Sequence, residues 1–154
     1  MKIKRNWFDN AIEILCVMML IGICVYLFVK WDGLPDQIPA HYNLKGEVNR
    51  WGSKGELLFL PIIGWVLYIG MTVVEAFPQI WNVGVTITDE NRERVYRLLK
   101  TMLGVTKLLM VVLFTLIEIN SIGGGNLPWY ATLLFLGAIF GELIFFILRL
   151  TRIK

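Results

Sequence analysis

AIEILCVMMLIGICVYLFV, residues 11–29, decides the fold: nineteen residues with one charge, Glu13, and one glycine. At about 1.5 Å per residue such a stretch spans a hydrocarbon core about 30 Å thick. Three more follow at 57–77, 102–119 and 127–148, each 18–22 residues long. Inside a bilayer each must be a helix, because no water is present to satisfy its backbone groups. The whole chain, residues 1–154, is therefore predicted to be one all-α membrane domain of four transmembrane helices. Composition agrees. The chain is 56% hydrophobic and only 18% charged, against about 25% charged in soluble domains.

Lys2, Lys4 and Arg5 precede the first stretch in the manner of a signal peptide. The apolar run is too long for an ordinary signal core and ends without a small-x-small cleavage site, so a retained helix is expected. Lysine and arginine counts set the orientation. The N-terminal tail, residues 82–100 and the C-terminal tail (Arg149, Arg152, Lys154) carry ten positive charges on one side. The other side has Lys30, Lys45, Arg50 and Lys54. The positive-inside rule places both termini in the cytoplasm and the loop between helices one and two outside. Trp7 and Trp81 fall at one predicted border and Trp31, Trp51 and Trp129 at the other, as an aromatic belt requires. The net charge of +3 is spread over both faces. It reads as lipid contact and topology, and no nucleic-acid partner is expected. Cys16 and Cys24 lie in helix one and read as apolar filler.

Residues 34–54, LPDQIPAHYNLKGEVNRWGSK, form the polar loop and hold the single histidine. Pro35 and Pro39 stiffen its first half. Residues 43–46 and 51–55 read as two turns. A shaped cap on the bundle is expected. On the other side, residues 83–88 are β-prone. Thr88, Asp89 and Glu90 then read as a helix start, opening a basic amphipathic segment that runs into helix three.

Glu13, Glu75, Lys107, Glu118 and Glu142 lie within the apolar stretches. Glu13 and Glu75 are near helix ends and are expected to snorkel. Lys107 and Glu142 both fall about 9 Å inside the same border. A charge near the bilayer centre costs about 2.5–3.5 kcal/mol, so opposite charges at one depth are expected to pair. A Lys107–Glu142 ion pair is predicted, with Gly137 and Gly141 allowing close helix approach. A proton or ion relay through Lys107, Glu118 and Glu142 is the functional alternative.

The loop resembles a bacterial membrane family, the domain of unknown function numbered 1648, whose best-known members are SdpI-like immunity proteins. The resemblance rests on Leu34-Pro35-Asp36-Gln37-Ile38-Pro39, His41-Tyr42-Asn43, Gly46-Glu47 and Arg50-Trp51-Gly52-Ser53-Lys54. It covers helix one through the start of helix two and continues more weakly through 82–88 and 91–107, where Val83-Gly84 replaces a Tyr-Pro pair common in the family. It implies a multi-pass protein of the bacterial plasma (inner) membrane. In the immunity members it implies protection against a secreted antimicrobial peptide. Longer members carry further helices, and functions of that part do not carry over.

Three readings of His41 stay open. Its ring fixes the cap by a hydrogen bond within the loop. Alternatively, His41, Tyr42, Arg50, Trp51 and Lys54 present a recognition surface of aromatic and cationic groups. Or His41 joins Asp36 and Glu47 as metal or acid–base groups, a poor zinc set without a second His or Cys. No nucleophile–base pair, HExxH or phosphate loop occurs, and Ser53 beside Lys54 carries almost no specificity as a dyad. A non-enzymatic chain without metal or cofactor is therefore expected. The loop, with binding residues Pro35, Pro39, His41, Tyr42, Asn43, Gly46, Arg50, Trp51, Gly52, Ser53 and Lys54, is expected to bind a secreted peptide or a membrane protein partner. The runner-up is a small transporter or sensor subunit. Four short helices also leave surface for a homo-oligomer.

Overall fold

The computed structural model describes residues 3–153. Lys2 and Lys154, counted above for orientation, lie outside the described residues. Helix α1 runs Trp7–Lys30, α2 Phe59–Ala76, α3 Arg92–Gly123 and α4 Trp129–Thr151. All four are long and apolar enough to cross a membrane. Their lateral surfaces are apolar: Phe28, Phe59, Leu133, Leu134 and Phe140 all stand exposed. A surface of that kind fits a bilayer and not water.

Capping chemistry explains the helix ends. The Asn6 side chain accepts from Asp9 N at 2.8 Å and Asp9 Oδ2 accepts from Asn6 N at 3.0 Å, so α1 starts at Trp7, four residues before the predicted span. Thr88 and Asn91 make a similar reciprocal pair, with Asn91 N donating to Thr88 Oγ1 at 3.2 Å and Thr88 N to Asn91 Oδ1 at 2.9 Å. These bonds brace the turn that precedes α3, whose N-cap is Asn91 and not Thr88, and the basic lead-in and the third span are one helix of 32 residues. It stops at Gly124, whose φ of +72° is the left-handed C-terminal conformation. Pro128 precedes α4. The β-prone segment 83–88 forms no strand.

The fold is not purely helical. Strands β1 (Gln37–Tyr42) and β2 (Val48–Ser53) pair antiparallel, so the loop between α1 and α2 is a β-hairpin. Of the two predicted turns, 43–46 is the hairpin turn. The other, 51–55, is the end of β2 running into a 3-10 turn, Lys54–Leu58. Apolar alternation does not reveal these strands, because the two buried residues of β1, Ile38 and Pro39, are adjacent and β2 buries none.

Helices α1, α2 and α3 pack mutually, and α4 packs on α3. One core cluster joins Ile12, Cys16, Leu20, Tyr68 and Val111. A second joins Ile23 and Leu27 of α1, Ile38 of β1, Leu57 and Ile122 of α3, and so ties the hairpin to the bundle. Cys16 and Cys24 are free thiols.

Candidate functional site

The hairpin turn is built by one side chain. Asn43 Oδ1 accepts from Lys45 N at 2.9 Å and from Glu47 N at 3.0 Å, while Asn43 Nδ2 donates to Glu47 Oε2 at 2.7 Å. An Asn that bonds its own downstream backbone substitutes for a turn hydrogen bond. Gly46 completes the turn at φ +82°. It is buried against the α3–α4 connection, where Leu127 N donates to Gly46 O at 2.8 Å. Val48 N donates to Asn126 Oδ1 at 2.9 Å beside it. Tyr42 adds a third tie: its hydroxyl lies 3.1 Å from Ser121 Oγ and accepts from Asn120 Nδ2 at 3.0 Å.

The second half of the motif is held at the start of α2. Arg50 forks onto Glu56, Nη1 donating to Oε1 at 3.3 Å and Nη2 to Oε2 at 2.8 Å. Such bidentate pairs fix geometry as well as charge. Glu56 Oε1 also accepts from Ser53 N at 3.2 Å. Gly52 has no Cβ because one would meet the Glu56 carboxylate and the Ala40 side chain. The Lys54 ammonium lies 4.8 Å from the centre of the Trp31 ring. Pro39 is buried, Pro35 is exposed before β1, and Trp51 is more than half exposed. The His41 ring is solvent-facing with Nδ1 2.6 Å from Asn49 Oδ1 on the opposite strand. His41, Asp36 and Glu47 are not brought together as a metal-binding group among the described residues.

One wall of β1 borders a groove of about 1130 Å³. Its other walls are the start of α2 (Phe59, Leu60), α3 from Leu109 to Ser121, and α4 from Tyr130 to Ala138. Packing explains it: α4 leans mainly on α3, leaving a trough roofed by the hairpin. His41, Tyr42, Leu44, Arg50 and Glu118 all contribute to the lining.

The intramembrane charges are arranged differently from the expected pairing. Lys107 is fully buried, and its partners are Glu13 of α1 and Glu75 of α2, not Glu142. It donates to a Glu13 oxygen and to Thr72 Oγ1 at 3.2 Å. Glu75 Oε1 reaches it as an ion pair at 2.8 Å, off the angle of a hydrogen bond. The Tyr68 hydroxyl donates to Glu13 Oε2 at 2.5 Å, and the Tyr68 ring lies 5.2 Å from the ammonium. Residue count fixes spacing along a helix axis, whereas direction around the axis is set by packing. Lys107 points into the α1–α2–α3 core, whereas α4 meets the other side of α3. There Glu142 Oε1 accepts from Thr106 Oγ1 at 2.9 Å. Gly137 and Gly141 have open space where a Cβ would stand, so they do not make the α3–α4 contact. Glu142→Gln is expected to leave thermal unfolding in nanodiscs unchanged within about 0.5 kcal/mol, since its Oε2 has no partner to lose. A loss above about 2 kcal/mol would mean that a cation holds it.

Sequence reasoning missed Glu13, Glu75, Tyr68 and Thr72 as a connected group. Their link is spatial: Glu13 stands in the second turn of α1, Tyr68, Thr72 and Glu75 follow one another along one face of α2, and Lys107 is at the middle of α3.

Residues 18–64 match the family model described as Domain of unknown function (DUF1648). A protein of Archaeoglobus fulgidus, described as "Uncharacterized protein", is 29% identical over 93 residues, covering 53% of this chain and 51% of its own length. The match thus spans about half of that archaeal relative. No solved structure matches. The matched stretch runs from the middle of α1 through the hairpin to the first turns of α2, and the family it matches is the one that the loop motif resembles.

Proposed function

We propose that this chain is a non-enzymatic multi-pass protein of the bacterial inner membrane whose hairpin face recognises a peptide or protein partner, in the manner of an SdpI-like immunity factor. The observation that carries the reading is the groove of about 1130 Å³ bordered by the motif strand β1. Most motif residues hold the hairpin in place, and a rigid roof over a preformed trough favours binding because little order has to be gained on association. The hairpin faces outward in this reading, because Lys4, Arg5, Arg92, Arg94, Arg97, Lys100, Arg149 and Arg152 belong to the segments at the opposite side.

The transporter or sensor reading draws on Lys107, Glu118 and Glu142, and it has weaker support. Eleven residues of α3, about 16 Å of rise, separate Lys107 from Glu118. Val111 is completely buried between them, and Glu142 bonds elsewhere.

Leu44 at the hairpin tip is exposed and borders the groove, so it is the position for a photoreactive residue. Irradiation of intact cells is expected to capture an exported peptide or a membrane protein, identified by mass. Capture of lipid alone, or of nothing, defeats the reading.

A further inference from the structure

Among the described residues, Glu118 is the acid of the groove without a hydrogen-bond or ion-pair partner. Four ionisable side chains with a charge near neutral pH or close to it line the trough: His41, Arg50, Glu56 and Glu118. Arg50 and Glu56 neutralise each other, and His41 is engaged with Asn49. Glu118 is 1% exposed, and its Oε1 is buried with no hydrogen-bond partner. A carboxylate taken out of water and left unpaired is strongly unfavourable, and intramembrane acids are kept where something pairs with them. The polar residues that follow it, Asn120 and Ser121, are already committed to Tyr42 and Gly125. A cation carried by an occupant of the trough would supply the missing partner.

The shape of the trough narrows the class. Its α3 wall extends from Leu109 to Ser121, about 18 Å or three helical turns. Its volume lies just above the roughly 300–1,000 Å³ of small-molecule sites. Apart from Glu118, the wall below the hairpin is aliphatic and aromatic: Leu109, Leu113, Leu116, Leu134 and Phe135. An elongated apolar trough with one buried acid fits the helix-in-groove mode of recognition.

We infer that the groove between β1, α3 and α4 takes a membrane-embedded helix of another polypeptide that carries one Lys or Arg, and that Glu118 receives this cation. The inference rests on the binding reading above and names the chemistry of its partner. Glu118 lies five residues before the end of α3, about 8 Å along its axis from that end. The basic residue of the partner sits at that depth, within reach of the carboxylate when its own helix lies along α3.

The test uses the full chain in nanodiscs with benzoylphenylalanine at Leu116, an exposed groove position beside Glu118. The probes are a synthetic Leu/Ala-rich membrane helix with one Lys about 8 Å from its end, the same helix with Leu in place of that Lys, and dodecylammonium as a small amine. The Lys helix is expected to be captured, with the Leu helix at least about tenfold weaker. Glu118→Gln is expected to remove that preference, and Leu134→Trp, which fills the trough, to block both helices. Thermal unfolding of each variant checks that it is folded; Glu118→Gln is expected to be no less stable than the parent. Three results overturn the inference: equal capture of Lys and Leu helices, a preference that survives Glu118→Gln, or protection of Leu116 by dodecylammonium while both helices are excluded. The two readings fail separately. Partner capture from Leu44 in cells that is unaffected by Glu118→Gln sinks the cation site and leaves hairpin recognition standing, whereas no capture from Leu44 sinks recognition itself.

Discussion

Lys107→Met is expected to be the most damaging single substitution in the spans, costing about 3–5 kcal/mol. The ammonium is completely buried and is held by carboxylates from two other helices, Glu13 of α1 and Glu75 of α2. Methionine fills similar volume, so little of the loss comes from a cavity. It comes from leaving two acids facing each other without their cation. Glu13 keeps the Tyr68 hydroxyl and Arg5, which is 3.8 Å away, but Glu75 keeps no such partner in this cluster. The cost is therefore expected to fall sharply when Glu75→Gln is combined with Lys107→Met. A double-mutant cycle read by denaturant unfolding in nanodiscs measures it. Replacing all three charged groups by neutral ones of similar size is expected to recover most of the stability, as for other buried ion clusters. If Lys107→Met alone costs less than about 1 kcal/mol, the cluster does not tie the three helices together.

The second large effect is expected at Gly46. Alanine there meets two obstacles: a backbone at φ +82°, and a Cβ driven into the Leu127 carbonyl. The hairpin tip must then move away from the α3–α4 connection and break the Leu127 N to Gly46 O bond. Together these are expected to cost about 2–4 kcal/mol. Gly84 separates the two contributions. It has φ +69° but open space where a Cβ would be, so Gly84→Ala carries only the backbone term, about 1–2 kcal/mol. Gly33, with open space and no positive φ, is the neutral control. Hydrogen exchange at the Leu127 and Val48 amides is the local readout. Faster exchange at both in Gly46→Ala, with α1–α3 amides unchanged, means the roof has lifted. Unchanged exchange contradicts the docking of the turn.

The Lys107 cluster and the hairpin also show where reading the chain as a string stops working. The turn at 43–46 was legible because its chemistry is local: an Asn that bonds its own backbone and a Gly three residues on. The strands on either side were not. Their placement involves contacts with Leu57, Ile122 and the 120–127 segment, most of them distant in sequence. The motif positions were legible as a set, but their roles were not. Arg50 reads as a free cation until Glu56 is seen to receive it, and Tyr42 reads as a contact residue until Asn120 and Ser121 are placed beside it.

Apolar length and charge count were enough for four helices of membrane-spanning character, because transfer of a long uncharged stretch into hydrocarbon depends on composition and little else. The spacing of the charges along each helix axis followed as well, since rise per residue is constant along a helix. Direction around the helix axis did not follow. Three helices could each have faced Lys107, and close packing of Ile12, Cys16, Leu20, Tyr68 and Val111 selected α1 and α2 over α4. That selection is a property of side chains meeting in three dimensions. It put Glu13 and Glu75 with Lys107, left Glu142 to Thr106, and opened beside α4 the trough in which Glu118 has no partner.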